Sequence, residues 1–207
     1  MWYLIRNLGG GLLLVMQVAL AQANGLQQME MLNEEVVKLP QADKYSLEME
    51  KAMQALAIAE KEVGPEHPST GIRLNNLAGL YRAMGAYEKA LPLYTRALAI
   101  AEKVLGPEHP STGTSLNNLA GLYESMGAYD KALPLSARSL AIAEKADGPE
   151  HPRTGTSLNN LAELYRAMGA YEKALPLYTR ALAIAEKVEG PEHPSTGTSL
   201  NNLAGLY

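Results

Sequence analysis

The sequence contains no cysteine and no phenylalanine, and it has a single tryptophan among its 207 residues. Without cysteine, disulfides, thiolate metal sites and a cysteine nucleophile are all excluded. Charged residues make up only 19% of the chain and the net charge is -4, so the excess basic charge typical of a nucleic-acid-binding surface is also lacking. Because 47% of the residues are hydrophobic, the composition is that of a soluble protein able to bury a core.

Long apolar runs are also scarce, and the one that stands out lies at the N-terminus. Residues 1–23 combine one positive charge at Arg6, an apolar run from Leu8 to Ala21, and the small-residue triplet that ends at Ala23. This pattern is typical of a secretory signal peptide cleaved after Ala23. The run is short for a transmembrane helix, which needs about 20 apolar residues. We therefore expect an exported protein, periplasmic or secreted, without a stable membrane span after cleavage; an uncleaved N-terminal anchor is the alternative.

Motifs of known catalytic chemistry are absent as well. The chain has no G-x-S-x-G and no H-E-x-x-H, and "GPEHPSTG" lacks the Lys-Ser/Thr ending of a phosphate-binding loop. A shared metal ion would require ligand nitrogens at about 2.0–2.1 Å, whereas residues one repeat apart should be separated by roughly 8–10 Å, the distance between packed helices. We predict no enzymatic activity, no metal site and no cofactor. The four histidines are instead expected to pack the loop before a proline: His67, His109, His151 and His193.

What the sequence does contain is a repeat of 42 residues. The motif "GPEHP" begins at Gly64, Gly106, Gly148 and Gly190, and the units 64–105 and 148–189 differ at only five positions. Such a constant period indicates a stacked-repeat architecture. The predicted organisation after the signal peptide is a degenerate capping repeat at 24–63, three full repeats at 64–105, 106–147 and 148–189, and a truncated repeat at 190–207.

Each repeat has the pattern of two helices. The first is predicted from about Ser69 to Met84, capped by Ser69 or Thr70 and ended by Gly85; the second is predicted from about Tyr87 to Lys103. Because such a pair cannot bury its own apolar face, neighbouring pairs must stack. We therefore predict an all-α fold, a right-handed superhelical solenoid of antiparallel helix pairs. The residues expected in the core of the first full repeat are Leu74, Leu77, Ala78, Tyr81, Tyr87, Ala90, Leu91, Tyr94, Ala97, Leu98 and Ala101.

These packing positions resemble the tetratricopeptide repeat (TPR) pattern. The 42-residue period, "LNNLA-LY", "G-Y-KALPLY-RALAI-EK" and "GPEHP" resemble specifically the kinesin-light-chain type, from about residue 28 to residue 207. The resemblance implies that the first helices line a concave groove, in which the second asparagine of each pair contacts the backbone of a bound peptide. Kinesin light chains carry a heptad region before their repeats; none is visible here, so a role in motor transport is not implied.

The asparagine pairs are the strongest functional signal, because asparagine is a poor helix former and these pairs recur four times within predicted helices. An amide offers donors and an acceptor together, so it can hold the backbone of an extended peptide without recognising its side chains. The alternative is that the amides join neighbouring helices and fix the register of the repeats. The candidate peptide-binding asparagines are Asn76, Asn118, Asn160 and Asn202, with Asn75, Asn117 and Asn159 nearer the packed face.

Charged residues near the predicted groove are mixed in sign. Arg82 and Arg166 are candidate ligand contacts, but Glu124 and Glu163 are acidic, so no ligand charge is predicted. The function we expect is an exported scaffold or adaptor that binds an extended peptide segment of a partner protein. Two alternatives follow from the chain stopping at Tyr207 within a first helix: the repeats are the recognition arm of a larger enzyme, such as a caspase-like peptidase, or the uncapped end mediates self-association.

Overall fold

The computed structural model describes residues 41–206 of the chain. The predicted signal peptide, the first part of the predicted capping repeat and Tyr207 lie outside these residues, so the predictions for those segments remain predictions. The chain divides into two compact units, Met1–Glu48 and Met49–Tyr207. Of the first unit, the described residues are helical. Apart from the start of the first described helix, everything below concerns the second unit.

Residues 41–206 are all-helical, with no strand among them. Helix α1 precedes three complete helix pairs, and the first helix of a fourth pair follows them. The first helix of each pair begins at the residue after the histidine of "GPEHP", and the second begins at the tyrosine of "MGAY". No described helix combines the length and the apolar character needed to cross a bilayer. The helices are α1 Gln41–Glu62, α2 Pro68–Ala83, α3 Tyr87–Val104, α4 Pro110–Ser125, α5 Tyr129–Ala146, α6 Pro152–Ala167, α7 Tyr171–Val188 and α8 Pro194–Ala204.

The helix ends lie within one residue of their predicted positions in the first full repeat, but the predicted cap is wrong. His67 is the N-cap of α2, because its side-chain Nδ1 accepts a hydrogen bond from the Ser69 backbone N–H at 3.1 Å. Thr70 instead donates its hydroxyl hydrogen to the Gly64 carbonyl at 2.7 Å. At the other end Gly85 adopts φ +72°, the left-handed conformation expected of a residue that follows a helix.

Consecutive helices from α2 to α8 pack against each other, and the first helices of successive repeats also touch. Ala78, Ala90 and Tyr94 are buried as predicted, and they form one cluster with Leu119 and Leu122 of the next repeat. Burial of each apolar face therefore depends on the following repeat. The predicted solenoid of antiparallel helix pairs is confirmed.

The second helices are joined by a regular series of ion pairs. Arg96 contacts the Glu60 carboxylate at 2.6 Å and donates to the Pro65 carbonyl at 3.0 Å. Arg138 and Arg180 make the same two contacts one and two repeats later. Exposed pairs of this kind contribute little free energy individually. Because these contacts have the same geometry in every repeat, each repeat packs on its neighbour in the same register.

Candidate functional site

The two asparagines of each pair lie in different surroundings. In the first three pairs the first asparagine donates from its Nδ2 to a serine hydroxyl in the next first helix: Asn75 to Ser115 at 3.1 Å, Asn117 to Ser157 at 3.3 Å, and Asn159 to Ser199 at 3.2 Å. Their Oδ1 atoms are buried and have no partner within the described residues. These three amides therefore link consecutive repeats.

The second asparagines form what we call the amide row: Asn76, Asn118, Asn160 and Asn202. No side-chain hydrogen bond to another described residue occupies these amides, and each is partly or fully exposed. Their donors and acceptors are thus available to a ligand.

The amide row borders three pockets, each between two consecutive first helices. Pocket A lies between α2 and α4 and measures about 200 Å³, pocket B between α4 and α6 about 170 Å³, and pocket C between α6 and α8 about 280 Å³. Each pocket is lined by both amide-row residues of its two helices, for example Asn118 and Asn160 in pocket B. We call the surface on which the three pockets open the first-helix face.

The floor of each pocket comes from the second helix of the repeat and contains an isoleucine and at least one alanine, with a serine in addition in pocket B. Ile142 of α5 packs so closely on Gly113 of α4 that a Cβ atom at this glycine would lie 3.3 Å from the isoleucine Cγ2. Ile142 and Gly113 both line pocket B. Glycine at this position therefore lets the two helices approach closely enough for the isoleucine to form the floor.

Arg82 and Arg166, the candidate basic contacts, occupy equivalent positions near the ends of α2 and α6. The guanidinium of Arg82 lies directly over Gly121 of the next first helix, so a side chain at this position would require the arginine to move. The absence of a side chain at Gly121 thus gives room to the chain's own arginine. Arg166 forms a two-point ion pair with Glu163, which lies one turn earlier in the same helix.

Glu163 is the centre of a small polar network. The Tyr178 hydroxyl donates to its carboxylate at 2.6 Å. The hydrogen bond from Arg166 is the main reason that the pKa of Glu163 is lowered, and the same pair raises the pKa of Arg166. Burial, followed by the bond to Glu163, raises the pKa of Tyr178.

Glu124 differs from Glu163, the other acidic residue near the predicted groove. Within the described residues it has no ion-pair partner. Burial raises its pKa, and the nearby negative charge of Glu163 raises it further, against smaller opposing effects of Arg82 and Arg166. The four charged residues together carry no net charge, in agreement with the mixture of signs noted in the sequence.

A serine, a histidine and a glutamate do meet beside pocket C, but not in the arrangement of a catalytic triad. Ser195 Oγ lies 2.8 Å from His193 Nδ1, and the Glu189 carboxylate lies 3.3 Å from the same nitrogen. A triad needs the acid and the hydroxyl on opposite nitrogens of the ring, so that the imidazole can pass a proton between substrate and hydroxyl. Among residues 41–206 no group of three or more potential metal ligands is present either.

The sequence comparison that decides the family is with a profile of tetratricopeptide repeats. It matches residues 51–103, 73–145, 117–187 and 153–207, which together span most of the chain. The chain belongs to the tetratricopeptide repeat family. No curated protein matches it significantly.

Solved structures place this TPR protein among kinesin-light-chain-like repeats. A kinesin light chain candidate of Podosopora anserina with nearly identical TPR-like repeats is 32% identical, with a TM-score of 0.66 over 87% of this chain and 85% of that one. Its Q17M variant gives 32% identity and a TM-score of 0.67 over the same shares. BtubC (BKLC) from P. vanneervenii is 25% identical, with a TM-score of 0.65 over 79% of this chain and 65% of that chain.

Membership of this family indicates a protein-binding scaffold, because TPR arrays generally bind proteins or peptides and are typically non-catalytic. Several pocket residues were not among the sequence-predicted sites, notably Arg153 in pocket B and Glu189 in pocket C. A signal for both was present in the sequence, since each occupies a position at which otherwise identical repeats differ.

Proposed function

We propose that this protein is an exported TPR scaffold, which binds an extended segment of a partner protein along a groove formed by α2, α4, α6 and α8. The observation that carries this proposal is the amide row, four partly or fully exposed amides without side-chain partners in the described residues, bordering pockets A, B and C. Asparagine disfavours helices, and none of these four amides makes a side-chain bond within the described residues that would offset this cost, which favours a role in ligand binding.

The chemistry of the row suits a peptide backbone. Each amide presents donor and acceptor atoms that match the C=O and N–H of a peptide group. Packed helices lie about 8–10 Å apart, and an extended chain advances roughly 3.3 Å per residue. One amide would therefore meet about every third residue of the ligand, while ligand side chains enter the pockets between helices.

The test replaces the amide row by alanine in one variant, with Asn76, Asn118, Asn160 and Asn202 all changed. Peptides that bind the wild-type protein are selected from a displayed random library, and their affinities are measured by fluorescence anisotropy. We expect binding to weaken at least about tenfold while helicity and cooperative unfolding persist, since hot-spot contacts each contribute about 1.4 kcal/mol or more. Unchanged affinity would contradict the proposal.

A matched control alters the second-helix surface instead. Changing Thr95 and Thr179 to alanine copies Ala137, which the middle repeat carries at this position. Both threonines are exposed on the second helices and do not line the three pockets. This variant should bind the selected peptides as the wild type does.

Export rests on the signal-peptide pattern of residues 1–23. Expression of the full chain in a bacterial host, followed by fractionation and N-terminal sequencing, tests it. A mature protein that begins at Asn24 in the exported fraction is the expected result. A protein retained in the cytoplasm with its N-terminus intact would exclude export.

A further inference from the structure

The differences between two nearly identical repeats are concentrated on the first-helix face. No position of the second helix differs between 87–104 and 171–188, although many of these side chains are exposed. Exposure alone therefore does not explain where the repeats have diverged. The five differing pairs are Ser69/Arg153, Ile72/Thr156, Arg73/Ser157, Gly79/Glu163 and Leu105/Glu189.

Four of these five positions supply a residue that lines a pocket, and they give each pocket a different character. Pocket A is lined by Ile72 and Leu105 and has no charged side chain in its lining. Arg153 is the charged residue of pocket B. Glu189 is the charged residue of pocket C. Along the amide row the pockets are thus apolar, basic and acidic in turn.

Both charged residues retain capacity for a ligand. Arg153 contacts Asp147 only through Nη1, at 3.0 and 3.3 Å, so its Nε and Nη2 are not used by any described residue. Its side chain is 45% exposed. Glu189 accepts a hydrogen bond from the Ser195 hydroxyl and is 27% exposed. A carboxylate can accept about four hydrogen bonds, so this contact leaves room for a basic side chain.

The spacing of the pockets selects the conformation of the ligand. In a β-strand alternate side chains point to opposite faces, so residues three apart do not share a face. A polyproline II helix has three residues per turn and a rise of about 3.1 Å, which places every third side chain on one face at intervals of roughly 9 Å. This interval matches the distance of about 8–10 Å between packed helices.

We propose that the partner segment, bound as in the proposed function on which this inference rests, is a polyproline II helix with an apolar, an acidic and a basic side chain at positions i, i+3 and i+6. The apolar side chain occupies pocket A, the acidic one meets Arg153 in pocket B, and the basic one meets Glu189 in pocket C. The positions are numbered along the groove from pocket A to pocket C, so a ligand bound in the opposite chain direction carries the same side chains in reverse sequence order.

The test uses three fluorescein-labelled synthetic peptides with proline and serine as spacers, each made in both sequence directions so that the tighter-binding direction is compared. The matched peptide carries Leu, Glu and Lys at three-residue spacing. The second peptide exchanges Glu and Lys, which creates mismatches in both chain directions at constant net charge. The third keeps the order but uses two-residue spacing. We expect the matched peptide to bind the full chain at least about tenfold tighter than the other two at low salt, because like charges replace opposite ones. The preference should shrink at high salt.

Variants that copy residues from other repeats assign each contact without threatening the fold. Glu189→Leu copies Leu105, and Arg153→Ser copies Ser69 and Ser111. We expect Glu189→Leu to lose the preference for Lys at i+6 and to gain one for Leu at that position. Arg153→Ser should lose the preference for Glu at i+3.

Three results would each overturn this inference. They are equal affinity for the matched and exchanged peptides, tighter binding of the peptide with two-residue spacing, and no binding of any of the three peptides. Failure of the proposed function looks different. If library-selected peptides bind in a manner that depends on the amide row but show no such pattern, only the ligand pattern is wrong. If no library peptide depends on the amide row, the groove itself is not the binding site.

Discussion

Asn117 and Asn118 are neighbours in the chain, yet one is bonded to the next repeat and the other faces pocket B. The helical periodicity correctly places the first asparagine nearer the packed face. It does not identify the partner, Ser157, which lies 40 residues further along and becomes adjacent only when two repeats stack. The exposed amide could be proposed from sequence, whereas the bonded one required the packing.

The link between Asn117 and Ser157 can be tested by a double-mutant cycle. Ser157→Ala leaves the partly buried Asn117 amide donor without its partner, so we expect the free energy of unfolding to fall by about 1 kcal/mol. In an Asn117→Ala background the same change should cost little, because no donor is then left unpaired. Urea denaturation followed by circular dichroism measures both values.

Ser125→Ala is the matched control for this cycle. Ser125 is exposed, bonds only within its own helix, and is replaced by alanine at the equivalent positions 83 and 167. Its removal should change stability by less than about 0.5 kcal/mol. Equal losses for the two serines would show that the link between repeats contributes nothing specific.

Glu124 gives a pH dependence whose sign follows from its raised pKa. Because the folded state holds this proton more tightly than the unfolded state, the stabilising contribution is full below the usual pKa of 4.5 and is lost as the pH rises through the raised value. Glu124→Gln removes this loss. The variant should therefore be more stable than the wild type near pH 7, mainly because no partly buried carboxylate has to lose its hydration, by up to roughly 0.5 kcal/mol, and about equal to it near pH 4.

Urea melts at both pH values test this prediction, with Glu186→Gln as the control. Glu186 is exposed and has no ion-pair partner within residues 41–206. Its substitution should leave the difference in the free energy of unfolding between the two pH values unchanged. A Glu124→Gln variant that is less stable than the wild type at neutral pH would show that the carboxylate is stabilised in the folded protein.

At the scale of the helices, the positions of glycine and proline predicted where helices begin and end, but they did not predict which side chain caps each helix. Gly85 and Pro68 mark an end and a beginning because their backbone preferences suit those positions. Serine and threonine were expected to cap the first helices because they are common there. The actual cap is the histidine immediately before the proline, and Pro68 at the first helical position was the signal that could have identified it.

Removing one histidine cap should weaken the repeat array measurably. His109 caps α4 through Nδ1, which accepts the Ser111 N–H at 3.1 Å. His109→Ala should lower the free energy of unfolding by about 1 kcal/mol, the usual cost of losing an N-cap. His109→Asp should retain stability, since aspartate is among the preferred N-caps. Urea melts distinguish the two, and equal losses in both variants would mean that the imidazole packs rather than caps.

At the scale of the whole chain, the fold was predictable because one period dictates every interface. Each repeat buries its apolar face on the next, so the spacing of 42 residues fixes the partner of every helix. The pockets were less accessible to sequence reasoning. Pocket B combines side chains from α4, α5 and α6, and Arg153 comes to it from the start of α6 only because the first helices of adjacent repeats touch.

Equivalent interfaces predict that one complete repeat can be removed without loss of the fold. In a chain lacking 106–147, Asn75 would meet Ser157 and Glu102 would meet Arg180, as their counterparts do in the intact array. Arg82 would face Glu163 in place of Gly121, and the unfavourable contact of Glu124 with Glu163 would be gone. We expect unchanged helicity per residue, cooperative unfolding, and a smaller denaturant m-value because less surface is exposed on unfolding.

The shortened chain also allows folding and peptide binding to be tested separately, because it should fold but has one pocket fewer along the amide row. A matched Leu–Glu–Lys peptide should bind it more weakly than it binds the intact protein, since the three side chains no longer have three successive sites. A deletion of four residues fewer, 106–143, would break the register and serves as the control. If both shortened chains unfold without cooperativity, the repeats are not interchangeable and their interfaces are not equivalent in stability.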